Sequence, residues 1–98
     1  MGITNVITMI PPGGATNAIK IDLSRFREGV GLLCTLDFGA VASYSVEVSG
    51  DGTHWNLHDV LQNKTASAND SLAFPVALVR LNGTITGGNV TLCIIQGQ

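Results

Sequence analysis

Apolar and polar residues alternate with a period of two along most of this chain, the spacing of a β-strand with one buried face and not of a helix. The pattern is clearest over residues 42–49. There Tyr44, Val46 and Val48 fall on one face, and Ser43, Ser45, Glu47 and Ser49 on the other. That predicts a half-buried antiparallel strand with one wet side. Ile19, Ile21 and Leu23 alternate with Lys20, Asp22 and Ser24 in the same way, and Leu32, Cys34, Leu36 and Phe38 make a third apolar face. Val90, Leu92 and Ile94 make a fourth, although Cys93 and Ile95 leave its reverse apolar too. A strand of that kind is central in its domain or is covered by a partner. No sustained helical stripe appears; residues 57–62 have room for one turn.

Punctuation divides these segments. Pro11-Pro12-Gly13-Gly14 ends a strand over residues 3–10, giving an N-terminal arm (1–10), a break (11–14) and a single domain (15–98). Gly29 and Gly31 predict a bulge or bend at the start of the third strand. Ser49-Gly50-Asp51-Gly52-Thr53 predicts a tight hairpin, with Asp51-Gly52 in the positive-φ positions. Thr86-Gly87-Gly88-Asn89 predicts a second hairpin, joining strands over 78–85 and 90–96. Residues 63–71 are polar and unpatterned, so they read as the longest loop. Leu72, Phe74, Val76 and Leu78 share one parity while Val79 and Leu81 take the other. That slip demands a bulge near Leu78-Val79 or a corner near Pro75, which has no N–H for a ladder. Seven to eight short strands so punctuated predict an all-β, antiparallel two-sheet sandwich of jelly-roll or Greek-key type.

Composition narrows the function classes. The chain has 98 residues, 12% of them charged, and a net charge of −2. Its mean hydropathy is +0.34. Disorder needs low hydrophobicity or high net charge, and nucleic-acid binding needs a basic patch, so neither fits. No apolar run is long enough for a membrane span. Residues 1–10 lack the basic start of a secretory leader, so synthesis in a cytoplasm is expected and the N-x-[ST] sequons at Asn63, Asn69, Asn82 and Asn89 read as chance. Cys34 and Cys93 read as two buried small hydrophobes, with a disulfide between them left open. So few charges predict a chain covered by copies of itself or by a larger assembly. Ile3, Val6, Ile7, Met9 and Ile10 form a strand that pairs with its own sheet or with a neighbour's. The expectation is a dimer or trimer in which this segment engages a neighbouring subunit.

Candidate chemistry is sparse. Asp51, His54, His58 and Asp59 cluster around Trp55. On a strand, His54 and His58 would stand roughly 13 Å apart, too far to share one metal ion. The expectation is no catalytic site, no metal and no cofactor, with Trp55 closing one end of the sandwich. Arg25, Phe26, Arg27 and Glu28 read as a solvated loop. Arg80, inside an apolar strand, must extend its head to water, pair with Glu47 or Asp37, or enter an interface.

The run Tyr44-Ser45-Val46-Glu47-Val48-Ser49-Gly50-Asp51-Gly52-Thr53-His54-Trp55, then Val79-Arg80-Leu81-Asn82 and Gly88-Asn89-Val90-Thr91-Leu92, resembles small virion proteins of tailed bacteriophages. The likeness covers roughly residues 40–96. It implies a structural role: decorating or cementing a capsid by bridging its major capsid protein, or forming part of a head or tail appendage. It implies no active site. The same hairpin resembles the longer discoidin-like, galactose-binding modules. That implies, as the alternative, glycan binding at a loop containing Asp51, His54 and Trp55.

Overall fold

The computed structural model describes residues 3–97. Among these residues the chain forms eight strands: β1 (Ile3–Met9), β2 (Ile19–Lys20), β3 (Val30–Leu36), β4 (Val41–Ser49), β5 (Asn56–Leu57), β6 (Ala68–Ser71), β7 (Leu78–Gly87) and β8 (Val90–Gln96). One 3-10 helix, Leu23–Glu28, joins β2 to β3. Every pairing is antiparallel, in two four-stranded sheets ordered β1-β8-β3-β6 and β2-β7-β4-β5. The pairs β1·β8, β2·β7, β3·β6 and β4·β5 are successive rungs of one ribbon, the first half of the chain laid against the second. Rolling that ribbon brings β8 beside β3 and β7 beside β4. This is the jelly-roll order.

The inner faces of the two sheets make the core. Leu32, Cys34, Val90, Leu92 and Ile94 from one sheet meet Tyr44, Val46, Val79, Leu81 and Ile85 from the other, none more than 2% exposed. Each large aliphatic side chain buried there contributes roughly 1.5–3 kcal/mol. The Tyr44 hydroxyl donates to the Ala66 carbonyl at 2.8 Å. Among the described residues, no buried side-chain polar atom lacks a partner.

Several local expectations need correction. The polar stretch 63–71 is not all loop: it contains β6, paired to β3 from Gly31↔Ser71 to Cys34↔Ala68. An edge strand is held by its main-chain ladder and needs no apolar stripe, so alternation gives no sign of it. The Thr86–Asn89 turn is not a hairpin, because β7 and β8 lie in different sheets. It crosses between them at Gly88, whose φ of +71° and whose absent Cβ, which would lie 2.7 Å from the Ala40 Cβ, both demand glycine. The β4–β5 connection takes the six residues between Ser49 and Asn56. Only Gly52 there has positive φ.

Leu23 and Phe38 leave their expected strand faces and are exposed. Leu23 departs because the Asp22 carboxylate accepts from the Ser24 N–H and starts the 3-10 helix, so the expected loop around Arg25 is a helical turn with Phe26 packed on the core. Phe38 lies beyond the end of β3, in the turn between Asp37 and Ala40. Gly29 ends the helix, while Gly31 sits in unbroken register, so the bend is at Gly29 alone. Leu57 belongs to β5 and residues 59–62 form bends, so no helical turn forms over 57–62. The parity slip resolves as the corner at Pro75: from Leu78 to Ile85 β7 keeps unbroken register with β4, the one shift lying at the far end between Val41 and Ala42, and residues 72–77 carry the chain from one sheet to the other.

Candidate functional site

The outer face of the β1-β8-β3-β6 sheet is set by register. Val6 lies opposite Cys93, and Cys93 opposite Leu33, which faces Asn69. One row away, Thr4, Ile95, Gly31 and Ser71 line up, and on the other side Thr8, Thr91 and Thr35. No side chain in these rows carries a charge. Val6 is 60% exposed, Ile95 41% and Leu33 37%. Three strands therefore present one apolar strip, Val6-Cys93-Leu33 with Ile95 beside it, framed by threonines. Cys93 and Ile95 were legible in the sequence as the apolar reverse of β8. Leu33 was not, because only the β3·β8 register places it next to Cys93.

The N-terminal segment proves to be an integral edge strand of its own sheet, hydrogen-bonded to β8 from Ile3↔Gln96 to Met9↔Val90. Of the five candidate interface residues there, Met9 is in the core, Ile7 packs against it and Ile3 is half-buried; only Val6 and Ile10 point outward. Ile7 and Met9 are therefore taken up by the core, and Ile3 is half-buried.

The two cysteines lie on opposite faces of this sheet. Cys34, opposite Leu92, points into the core, while Cys93, opposite Leu33, is half-exposed on the outer face. A pair so placed cannot reach disulfide geometry. Only Cys34 is the buried hydrophobe expected of both. Burial pushes its thiol pKa up to about 11, leaving it protonated and unreactive.

The outer face of the other sheet is charged. Glu47 and Arg80 are directly opposed on β4 and β7, with Arg80 Nε 2.7 Å from Glu47 Oε1. Asn82 donates to the second carboxylate oxygen at 3.3 Å. The Arg80 guanidinium lies over the Trp55 ring at 3.9 Å from its centroid. Arg80 thus has Glu47 and the Trp55 ring as partners within the chain. Trp55 lies on this outer face and does not plug the end of the sandwich. Asp37 instead accepts from the Asn89 N–H across the turn.

Beyond Ser49, the Asp51 carboxylate organises the loop. Its Oδ1 accepts from the N–H groups of Thr53 and His54 at 2.8 Å, and its Oδ2 lies 2.7 Å from His54 Nδ1. The His54 backbone N–H, its ring and the Thr53 N–H hold Asp51 well below the usual carboxylate range. The hydrogen bond and charge of Asp51 raise His54 in turn. Ser49 Oγ accepts from the Gly52 N–H beneath, burying Ser49, as Ser45 is buried by accepting from the Asn63 N–H. The expected wet side of β4 is largely covered.

His58 points elsewhere. Its Nε2 lies 2.8 Å from the Ser71 carbonyl, and its Nδ1 accepts from the Val60 and Leu61 N–H groups. Those bonds fix an Nε2–H tautomer that ties β6 to the β5 connection. With His54 on Asp51 and both His58 nitrogens engaged, the pair makes no metal site. Among the described residues no group of three His, Cys, Asp or Glu could hold a metal ion. Beside His58 is a cleft of about 400 Å³, lined by Val48, Leu57, Leu72, Phe74 and Pro75 among others. It is mainly apolar, with Ser49, Asn56, His58 and Asp59 as its polar lining.

Searched against known proteins, the chain matches no family model, no curated protein and no solved structure. Among the described residues no helix is long and apolar enough to cross a membrane.

Proposed function

We propose that this chain is a structural docking module that acts by covering a partner, with the role implied by its resemblance to tailed-phage virion proteins: a capsid decoration or cement protein. The observation that carries the reading is the charge-free outer face of the β1-β8-β3-β6 sheet, set against the ion-paired face of the other sheet. Exposed apolar residues gathered on one sheet face and rimmed by polar threonines favour an interaction surface. The work it does is mechanical: many weak copies, each burying apolar area across a joint between shell subunits, become effective through repetition.

The experiment is to add the purified chain to capsids assembled without it. Saturable binding and increased heat resistance of the shell are expected, both lost in Leu33→Asp and Ile95→Asp. A folded chain that shows no saturable binding ends the reading. The carbohydrate alternative has less support. Arg80 stacks on the Trp55 ring that a sugar would need, and His54 is committed to Asp51.

A further inference from the structure

A sandwich of two four-stranded sheets has four edges, and three of them are guarded here. β2 and β5 are two residues long, and β6 has four polar or small residues with Asp70 among them. The fourth edge, β1, is different. It runs for seven residues, Ile-Thr-Asn-Val-Ile-Thr-Met, with no proline, no glycine and no charge. Among the described residues only β8 pairs with it, so its other side presents main-chain donors and acceptors along about 24 Å. Natural proteins blunt such an edge or use it as a template for another strand.

The sequence of β1 is matched to itself. Val6 is its midpoint, and an antiparallel pairing centred there sets Val6 against Val6 of a second copy. Thr4 then faces Thr8, Asn5 faces Ile7 and Ile3 faces Met9. On the outer face the cross-strand partners are therefore Val–Val and Thr–Thr, both favourable pairs, and at the inner ends apolar meets apolar. The row Leu33-Cys93-Val6 would continue through the two-fold axis into the same row reversed, joining two apolar strips into one.

We infer that the outer edge of β1 pairs antiparallel with β1 of a second copy of this chain, about a two-fold axis at Val6, making one continuous eight-stranded sheet. A foreign strand would meet the same ladder, but the symmetric placing of Thr4 and Thr8 about Val6, with apolar Ile3 and Met9 at the ends, favours the identical chain. This goes beyond the docking role and does not depend on it, since it is measured on the purified protein with no capsid present.

The test uses charge at the axis. Val6 is exposed, so Val6→Lys and Val6→Glu leave the isolated sandwich folded, which circular dichroism verifies. Sedimentation equilibrium of the unsubstituted chain is expected to show a species of twice the 10.2 kDa chain mass. Each variant alone sets like charges opposite one another and should weaken dimerisation at least about tenfold. An equimolar mixture of the two should restore the doubled mass as a Lys–Glu heterodimer. Three results each overturn the pairing: an unsubstituted chain that stays monomeric at every concentration, variants that dimerise as tightly as the parent, and a mixture that shows no rescue. Retained capsid binding by a monomeric parent would leave the docking reading standing while removing this one.

Discussion

Gln96 clasps the backbone of Asp22 with both ends of its side-chain amide. The Asp22 N–H donates to Gln96 Oε1 at 2.9 Å, and Gln96 Nε2 donates to the Asp22 carbonyl at 2.8 Å. Gln96 is at the end of β8 and is fully buried, while Asp22 begins the 3-10 helix just past β2. One side chain thus substitutes for a strand neighbour and ties the two sheets together where the ribbon has stopped pairing. Gln96→Leu strands both main-chain groups and should cost about 2–4 kcal/mol in urea unfolding. A loss below about 0.5 kcal/mol would show that water replaces the clasp.

At Gly83 the backbones of β7 and β4 leave no room for a side chain. A Cβ there would lie 2.1 Å from the Ser43 carbonyl oxygen and 2.8 Å from the Tyr44 Cα. Neither atom belongs to a flexible side chain, so Gly83→Ala must push β4 and β7 apart. A loss of at least about 2–3 kcal/mol is expected by denaturant titration. Gly50→Ala, where a Cβ meets nothing within 4 Å, provides the control.

The Asp51–His54 pair gives the molecule a local pH signature. His54 is raised above its ordinary 6.5, so its share of stability is complete below that value and fades as pH rises through the folded-state pKa. Asp51 is lowered from 3.8, so its share is complete above that value and fades as pH falls through the folded-state pKa. The loop is therefore best ordered between pH 3.8 and 6.5. Titration of the His54 ring by NMR should give a midpoint above 6.5 that drops in Asp51→Asn. An unchanged midpoint would mean that the pair does not form in solution. Both groups are open to water, so global stability should hardly change.

The two thiols should differ in reactivity in the native protein. Cys93, half-exposed on the outer face, should be alkylated without denaturant, whereas Cys34 waits for unfolding. Mass mapping after iodoacetamide distinguishes them. Equal rates would contradict their placement on opposite faces. Protection of Cys93 on a capsid would mark the docked face directly.

The sequence carried the sandwich wherever side chains divide cleanly between core and solvent. Tyr44, Val46 and Val48 are legible because each alternate position of β4 faces the other sheet. β6 was invisible because its residues are held by hydrogen bonds to β3, which any composition supplies. The Thr86–Asn89 turn misled for a related reason: a glycine turn reports a change of direction but not which sheet the chain enters next. The apolar strip was half-legible. Alternation exposes Cys93 and Ile95, but their meeting with Val6 and Leu33 depends on the order β1-β8-β3, which joins the two ends of the chain to its middle.

That same order leaves Ile3 directly across from Gln96 at one end of the sheet. Any polypeptide, label or surface tether attached at either end of the described chain would leave the molecule from the same corner. A short flexible linker could therefore close the backbone into a ring without disturbing a rung of the ribbon. New ends could then be cut at the exposed Phe38 turn, where neither strand loses a partner.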